Sequence, residues 1–526
     1  MTPFEGARVN PFDRLVAFFS PVRGARRIAA RNFLKIAATY YTGASSRRLN
    51  ANWSTGVESS DATIDGELPT LRNKSRDLNR NNAIASGATG TVVNNVVHTG
   101  LRPQSMINRK ALGMTEEEAT AFQDAAESVY DRWNGKASVD LRLTFAEIQS
   151  LAMRQILESG EFIAVRRSVD DRRRPYFLAF EPIEPDRLED PVDVPKGANI
   201  RFGIEKDALN VPSAYYFLVN HPGDSMRTVV RGYDGSKRVA AYDSAGRPIV
   251  FHVYPVLRPG QSRGIPFFAP VLETFKTLAD YMEAELVAAR VAACFAAFVK
   301  TDNPYLNAYN RADDTNASSQ RLEGMEPGAI EYLGPGQEIT FSDPKRPGQT
   351  FDAFVERLVR SIGAALGLPY ELIFKDFSKT SYSSARAALL QAYRVFQNWQ
   401  QMIVEHLCQP AWEILLEEAF LRGQLPIADF YQYRFEYTRA LWIPPGWSWV
   451  DPLKEAQANQ VAIQTKVKSR AMVCAEQGVD WETVTNQLAR EKALDRELGL
   501  DSDESEEAPG QDDSRGSENG ETGRDD

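Results

Sequence analysis

The chain has 526 residues, 43% apolar and 25% charged, which is room for several folded domains or one elaborate subunit. Its formal charge of −10 is unevenly spread: residues 501–526 hold eleven Asp/Glu against two Arg, a sum of −9, so the rest sums to −1. Three cysteines far apart (Cys294, Cys408, Cys474) form no CxxC pair and read as small buried residues of a reducing compartment. The apolar run 286–299 is too short to span a bilayer and carries Arg290. No secretory signal opens the chain, so the expectation is a soluble, cytosolic protein with no membrane contact.

In chain order, the first fifty residues carry nine Arg/Lys against Glu5 and Asp13, with a basic amphipathic helix at about 24–40. Residues 41–75 read as irregular. A helix is expected from about Ser75 into Val92–Val97, closed by Gly100 and Pro103. Helices follow at 115–134, where Thr115 and Glu118 have capping-box spacing, and at 143–158. From Phe162 to Phe251 the runs FIAVRRS, YFLAFEPI, NIRFGIEKD, SAYYFLV and IVFHVYP are short, β-rich and punctuated by Gly, Pro and Asp, so this part is a sheet region.

Helix resumes from Phe267 to about Lys300, roughly 50 Å long. Residues 301–349 return to loop and strand, with turns at Pro327-Gly328 and Gly334-Pro335-Gly336. A helix at 351–366 and a long one from Ser384 to Arg422 come next. The second keeps Ala385, Leu389, Ala392, Phe396, Trp399, Ile403 and Leu407 on one buried face, with a kink expected at Pro410. FYQYRFEYT reads as a strand, WIPPGWSWVDP as a turn, and 453–477 and 480–497 as two closing helices. The tail 501–526 lacks the apolar residues needed to order itself. The class is α+β.

Chemistry-bearing patterns are scarce. No GxxxxGKS/T phosphate loop, HExxH or GxSxG occurs. His98, His221, His252 and His406 have no metal-ligand spacing and read as structural or surface residues, and neither metal nor cofactor is expected. Ser383-Ser384 reads as a helix N-cap rather than a nucleophile. The chain is read as non-enzymatic. One segment stands out: KDFSKTSYSS, between the two helices, has neither helical period nor strand alternation. Lys375 and Lys379, with Ser378, Thr380 and Ser381, fit an anion-binding loop; a plain surface connection, with the lysines paired to neighbours, fits equally well.

The segments RPGQSRGIPFFAPVLETFKTLADYMEAELVAARVAA, SIGAALGLPYELIFKDFSKTSYSSARAALLQ and LWIPPGWSWVDPLKEAQA, together with RDLNRNNAIASGATGTVVNNVV, resemble in sequence and order the lambda-type portal (head–tail connector) proteins of tailed bacteriophages. The resemblance runs from Arg23 to about Leu500. It implies a phage portal fold with a β-rich wing, a two-helix stem, a small α/β clip, a long kinked helix and a helical crown. By position, 1–60 is a basic N-terminal segment, 61–265 the wing, 266–302 a stem helix, 303–349 the clip and 350–369 the second stem helix. Residues 370–383 become the tunnel loop, 384–451 the long helix and wing return strands, 452–500 the crown, and 501–526 a disordered acidic tail.

The resemblance further implies a homo-oligomeric ring of about twelve subunits at one capsid vertex of the virion, assembled in the host cytoplasm. Double-stranded DNA bound without sequence preference, the terminase large subunit, a head–tail adaptor, and the major capsid and scaffold proteins are the implied partners. The tunnel-loop residues Lys375, Ser378, Lys379, Thr380 and Ser381 become candidates for contact with DNA phosphates. Two other classes stay open: another non-enzymatic adaptor, and a packaging-associated nuclease or ATPase. The missing phosphate loop counts against the ATPase.

Overall fold

The computed structural model describes residues 57–193, 197–224, 235–294, 298–301, 337–340, 351–446 and 452–498. The chain divides after Thr63 into two units, and the following concerns the second, from Ile64 onward. The basic head, most of 303–349, the 447–451 part of the Trp/Pro turn and the acidic tail lie outside the described residues.

Helix α1 (Leu68–Asn81) begins earlier than the expected Ser75 and buries Leu68, Arg72, Ser75 and Asn79, one face at three-to-four spacing. It does not run on. At Asn82 the backbone turns extended, and the Asn82 side chain accepts the N–H groups of Ile84 and Ala85 at 3.0 and 3.1 Å, starting α2 (Ala83–Val96). The single helix expected here is therefore two, because an asparagine that satisfies orphan N–H groups restarts a helix as readily as it interrupts one. Strand β1 (Arg102–Ser105) leads to α3 (Glu116–Asn134) and α4 (Phe145–Ser159). Both helices open with full capping boxes, Thr115 with Glu118 as expected and Thr144 with Glu147.

The sheet region forms as expected from its β-rich runs. β2 (Phe162–Ser168) pairs antiparallel with β3 (Leu178–Ile183) on one side and β8 (Val250–Val253) on the other. A four-stranded antiparallel sheet holds β4 (Asn199–Arg201), β5 (Ile204–Lys206), β6 (Pro212–Leu218) and β7 (Ser236–Ala240) in that order. NIRFGIEKD is a hairpin, turning at Phe202-Gly203 between paired Arg201 and Ile204. Along β2 the alternation divides two cores. Phe162 and Ala164 join the large core with Trp133, Phe145 and Phe180, and Ile163 and Val165 join Tyr215 and Phe217 of the four-stranded sheet.

Helix α5 (Leu272–Cys294) is shorter than the expected helix to Lys300. Phe298–Thr301 is instead strand β9, antiparallel to β10 (Gln337–Thr340), with Phe298 opposite Thr340. The partner lies far along the chain, so pairing overrides the helix propensity of the alanine-rich run before it. Helix α6 (Phe351–Leu366) keeps its expected limits and packs on α5, where Tyr281 stacks on Phe351 at 5.5 Å and meets Phe354 edge-on at 5.0 Å. After a short helix α7 (Tyr370–Phe374), α8 (Tyr382–Ile403) passes through a π-helical turn at Val404–Cys408 into α9 (Gln409–Leu421). Pro410, which has no N–H to donate, sits in the first turn of α9, so the irregularity expected at Pro410 is taken up by the π turn just before it.

FYQYRFEYT is not a strand. Two of its aromatic residues bury against helices, Phe430, which stacks on Phe420 at 5.2 Å, and Tyr437, in a helical turn at Arg434–Tyr437, which meets Phe122 at 5.1 Å, while Tyr431 and Phe435 stay exposed. A period-two aromatic pattern describes core contacts here rather than a ladder. The one return strand described, β11 (Ala440–Ile443), pairs with β1. The helix expected over 453–477 is also two, α10 (Pro452–Gln464) and α11 (Arg470–Glu476), because Ser469 caps the second by accepting the Met472 N–H at 3.2 Å. Helix α12 (Trp481–Glu497) closes the described chain. Cys408 is buried, whereas Cys474 is only partly so; the side chain of Cys294 lies outside the description.

Between α4 and β2 the fully buried Glu161 gathers partners from across the fold. Arg72 of α1 meets it at 2.5 Å, Arg263 donates at 2.8 Å, the Gly264 N–H at 2.8 Å, and His252 of β8 lies 3.0 Å away. Arg263 also donates to the carbonyls of Pro185, Leu188 and Phe202. Backbones nearly touch here, and a Cβ on Gly264 would stand 2.0 Å from the Gly160 carbonyl oxygen. Burial pulls the Glu161 carboxyl upward, but Arg263, Arg72 and His252 outweigh it and hold the group well below 4.5. Burial likewise lowers His252 from 6.5 despite Glu161, so the ring is neutral and donates from Nε2.

Glu161→Gln leaves two buried guanidinium groups around a neutral amide, and the expected loss is about 3–5 kcal/mol, read as a lower urea midpoint. The wild-type stability has a definite pH sign. His252, depressed in the fold, is protonated by the unfolded chain as pH falls through 6.5, and Glu161 adds its own loss below 4.5. The urea midpoint is therefore expected to be highest above 6.5 and to fall toward acid; a midpoint rising on acidification contradicts this.

Candidate functional site

The loop between α6 and α8 is set by short-range rules. Gly367, with φ +66°, ends α6 while the Leu368 N–H returns to the Gly363 carbonyl at 2.9 Å, a helix stop that needs glycine. Pro369 opens α7, and Lys375 leaves it in the left-handed region at φ 56°. The Asp376 carboxylate then accepts the Ser378 N–H at 2.9 Å, and its bonds with Ser378 hold its pKa below the ordinary value. Thr380 donates to Glu371 at 3.1 Å. The N-cap of α8 is Ser381, which accepts the Ser384 N–H at 3.3 Å; Ser383 and Ser384, expected in that role, lie inside the first turn.

Lys379 reaches back to Glu356 of α6 at 3.3 Å, and the same carboxylate holds Arg360 at 2.6 Å. Arg360 lies over the Tyr370 ring, which stacks on Phe374. The loop is thus tied to α6 by its second lysine. Four of the five expected residues (Ser378, Lys379, Thr380 and Ser381) make bonds within the loop or to its flanking helices. Lys375 is exposed and makes no ion pair among the described residues. Sequence reading missed Glu356 and Arg360, the residues that tether the loop. It also passed over Arg386 and Arg394, which lie exposed with Leu390 along one side of α8. Counted over 351–400, six cations (Arg357, Arg360, Lys375, Lys379, Arg386, Arg394) face four acids (Asp352, Glu356, Glu371, Asp376), a modest positive balance.

Glu184, Asp186 and His221 also come within reach of one another. Asp186 is committed to Arg76, the His221 Nδ1 accepts the Gly223 N–H at 3.0 Å, and the buried His221 Nε2 lies 3.0 Å from Glu184 without a hydrogen bond to it. With Asp186 held by Arg76 and the Nδ1 of His221 occupied, only Glu184 and the His221 Nε2 are left uncommitted. Among the described residues no helix is long and apolar enough to cross a membrane.

The family profile described as "Phage portal protein, lambda family" matches residues 46–400. The probable portal protein of Halomonas phage phiHAP-1 is 26% identical over 463 residues, covering 86% of each chain. The portal protein of Escherichia phage N15 is 25% identical, over 85% of this chain and 88% of its own. Among solved structures, the neck of the native GTA particle, computed with C12 symmetry, aligns with a chain 12% identical at a TM-score of 0.44, covering 79% of this chain and 94% of the other. The chain belongs to the lambda family of phage portal proteins.

The loop geometry separates its serines. Ser381→Ala removes a helix N-cap and is expected to cost about 1 kcal/mol, seen as faster amide exchange in the first turn of α8. Ser383→Ala is expected to leave that turn nearly unchanged. Equal effects from the two substitutions contradict the assignment.

Proposed function

We propose that this chain is the repeating subunit of a closed ring of about twelve copies that forms the DNA channel at one capsid vertex. The ring serves genome packaging with the terminase motor, joining of head to tail, and genome ejection. The observation that carries this reading is membership of the lambda portal family across 46–400. The positional assignment goes with it. The two sheets and their helices form the wing, α5 and α6 the stem, the region between them the clip, 370–383 the tunnel loop, and α10 to α12 the crown.

The stem pair supports the ring. Met282, Leu286 and Val287 of α5 and Phe354 of α6 are exposed in the single chain, as are the small Ala364 and Ala365 toward the end of α6. Large apolar side chains left uncovered on adjoining helices fit burial against a neighbouring copy. A repeated heterologous contact of this kind closes into a ring when its rotation allows. Electron micrographs and native mass showing only monomers over a wide concentration range would sink this reading.

Within the ring, one Lys375 per subunit forms a circle of positive charge that touches DNA phosphates without reading sequence, and weak repeated contacts permit sliding. Lys379 acts first as the tether to Glu356. Lys375→Ala is expected to leave rings intact while reducing packaging and DNA retention, and to make the salt dependence of DNA association shallower by about one phosphate contact per subunit. Lys379→Ala is expected to loosen the loop and give a smaller change. Wild-type packaging and retention by Lys375→Ala at every salt concentration returns the loop to a surface connection, whereas loss of rings makes it an assembly element.

A further inference from the structure

Between the four-stranded sheet and the π turn that joins α8 to α9 lies an open cavity of about 560 Å³. Lys206 of β5, Tyr215 of β6 and Ser262 line its sheet side, and His406, Glu413 and Arg434 its helix side. Ile204 pairs with Tyr215, and after a bulge Lys206 pairs with Pro212, which brings Lys206 to the same wall as Tyr215. Tyr215 is only 5% exposed, its ring fixed by stacking on Phe217 at 6.2 Å and by an edge contact with His252 at 5.7 Å. Among the described residues its hydroxyl has no hydrogen-bond partner.

Most charges around the cavity are settled among themselves. Arg247 is taken by Asp243 at 2.7 Å and Glu417 at 2.9 Å, and Glu413 by Arg434 at 3.3 Å and Gln409 at 3.2 Å. Glu405 accepts from Gln401, and Glu161, near Tyr215, is balanced by Arg72 and Arg263. What remains is a surplus of donors. Lys206 bonds the Ser262 hydroxyl at 2.6 Å and meets no carboxylate among the described residues, and the Arg434 Nε is buried without a partner. Burial raises the Tyr215 pKa, so the phenol keeps its proton to donate. Enclosed donors without acceptors favour a ligand that brings anionic oxygen.

We propose that this cavity is a carboxylate-binding pocket, and that residues 501–526 of the same chain supply its occupant, an Asp or Glu side chain seated on Lys206 and Tyr215. That segment carries eleven acids against two arginines and no aromatic or large aliphatic side chain, so charge is what it can dock with. It is also long enough. Phe435, on the cavity wall, is six residues from Leu441, which pairs with Gln104, and Gln104 donates to Asp480 at the head of α12. Adding the length of α12, residue 501 lies within roughly 60 Å of the cavity whichever way that helix points. Residues 501–526 can extend to roughly 85 Å. A ligand tethered in this way meets its site at an effective concentration on the order of millimolar, so a single carboxylate contact suffices.

The test is acetylation of lysines in the full chain, read residue by residue by mass spectrometry, with the exposed Lys110 and Lys237 as references. Replacing the eleven acids of 501–526 by Asn and Gln is expected to raise the Lys206 rate about threefold and to leave the references unchanged. Tyr215→Phe keeps the ring, removes the hydroxyl and is expected to raise that rate about twofold. A carbodiimide is expected to couple Lys206 to an acid of 501–526 in the native chain. An unchanged Lys206 rate in the neutralised chain overturns the proposal, and so does an equal rise at both references, which marks a general charge effect. If millimolar phosphate slows Lys206 acetylation while neutralising the segment does not speed it, the pocket takes a free anion and the segment is not its occupant. Where Tyr215→Phe does not fold, the neutralised segment decides alone, because it alters no residue of the cavity.

Discussion

A single buried carboxylate joins the parts of this subunit. Glu161 sits where α4 ends and β2 begins, and its partners come from α1, β8 and the segment that leads into α5. Arg263 carries the connection further, to carbonyls beside both sheets. An ion pair so enclosed adds little net stability over an apolar alternative, because desolvating the charges costs several kcal/mol. What it supplies is definition. Arg72 and Arg263 both converge on this carboxylate, with Asp186 also bearing on Arg72, so α1, the sheets and the entry to α5 can meet in few other ways. The close passage of Gly160 and Gly264 permits that meeting, since any side chain on Gly264 would strike backbone.

This joint gives a physical reason for one of the segments that marks the family. RPGQSRGIPFF contains Arg263 and Gly264, and it ends in Phe268, fully buried at the head of α5. The Gln261 side chain is spent on backbone, accepting from Leu257 and donating to the Arg263 carbonyl. Its polar residues look like chemistry and act as architecture. His252 follows the same pattern, a histidine that burial keeps neutral and that is spent on a hydrogen bond to Glu161.

Much of the fold was legible, and most of the misses share a cause. The capping box at Thr115, the three-to-four spacing of Ala392, Phe396, Ile403 and Leu407, and the β-rich runs from 162 to 251 are local signals, and each produced the expected element. Where the reading failed, a tertiary partner decided. β9 needs β10, and Phe430 and Tyr437 need α9 and α3; Asn82 and Ser469 are the exceptions, local caps that split two expected helices. The candidate loop divides the same way. Its polar composition was visible, but the pairing of Lys379 with Glu356 joins residues with no sequence relation, and Glu161 is one glutamate among many until its arginines are in place.

The two carboxylate clusters carry opposite signs, and the contrast follows from what surrounds each. Glu161 is buried among cations, so its charged form is favoured and acid weakens the joint. Glu127 of α3 is partly buried, with Asp480, Glu482 and Asp124 near it, so its carboxyl is pushed up to about 7. A rise from mildly acid to neutral pH firms the centre of the subunit, because Glu161 and His252 are then in the states the fold favours.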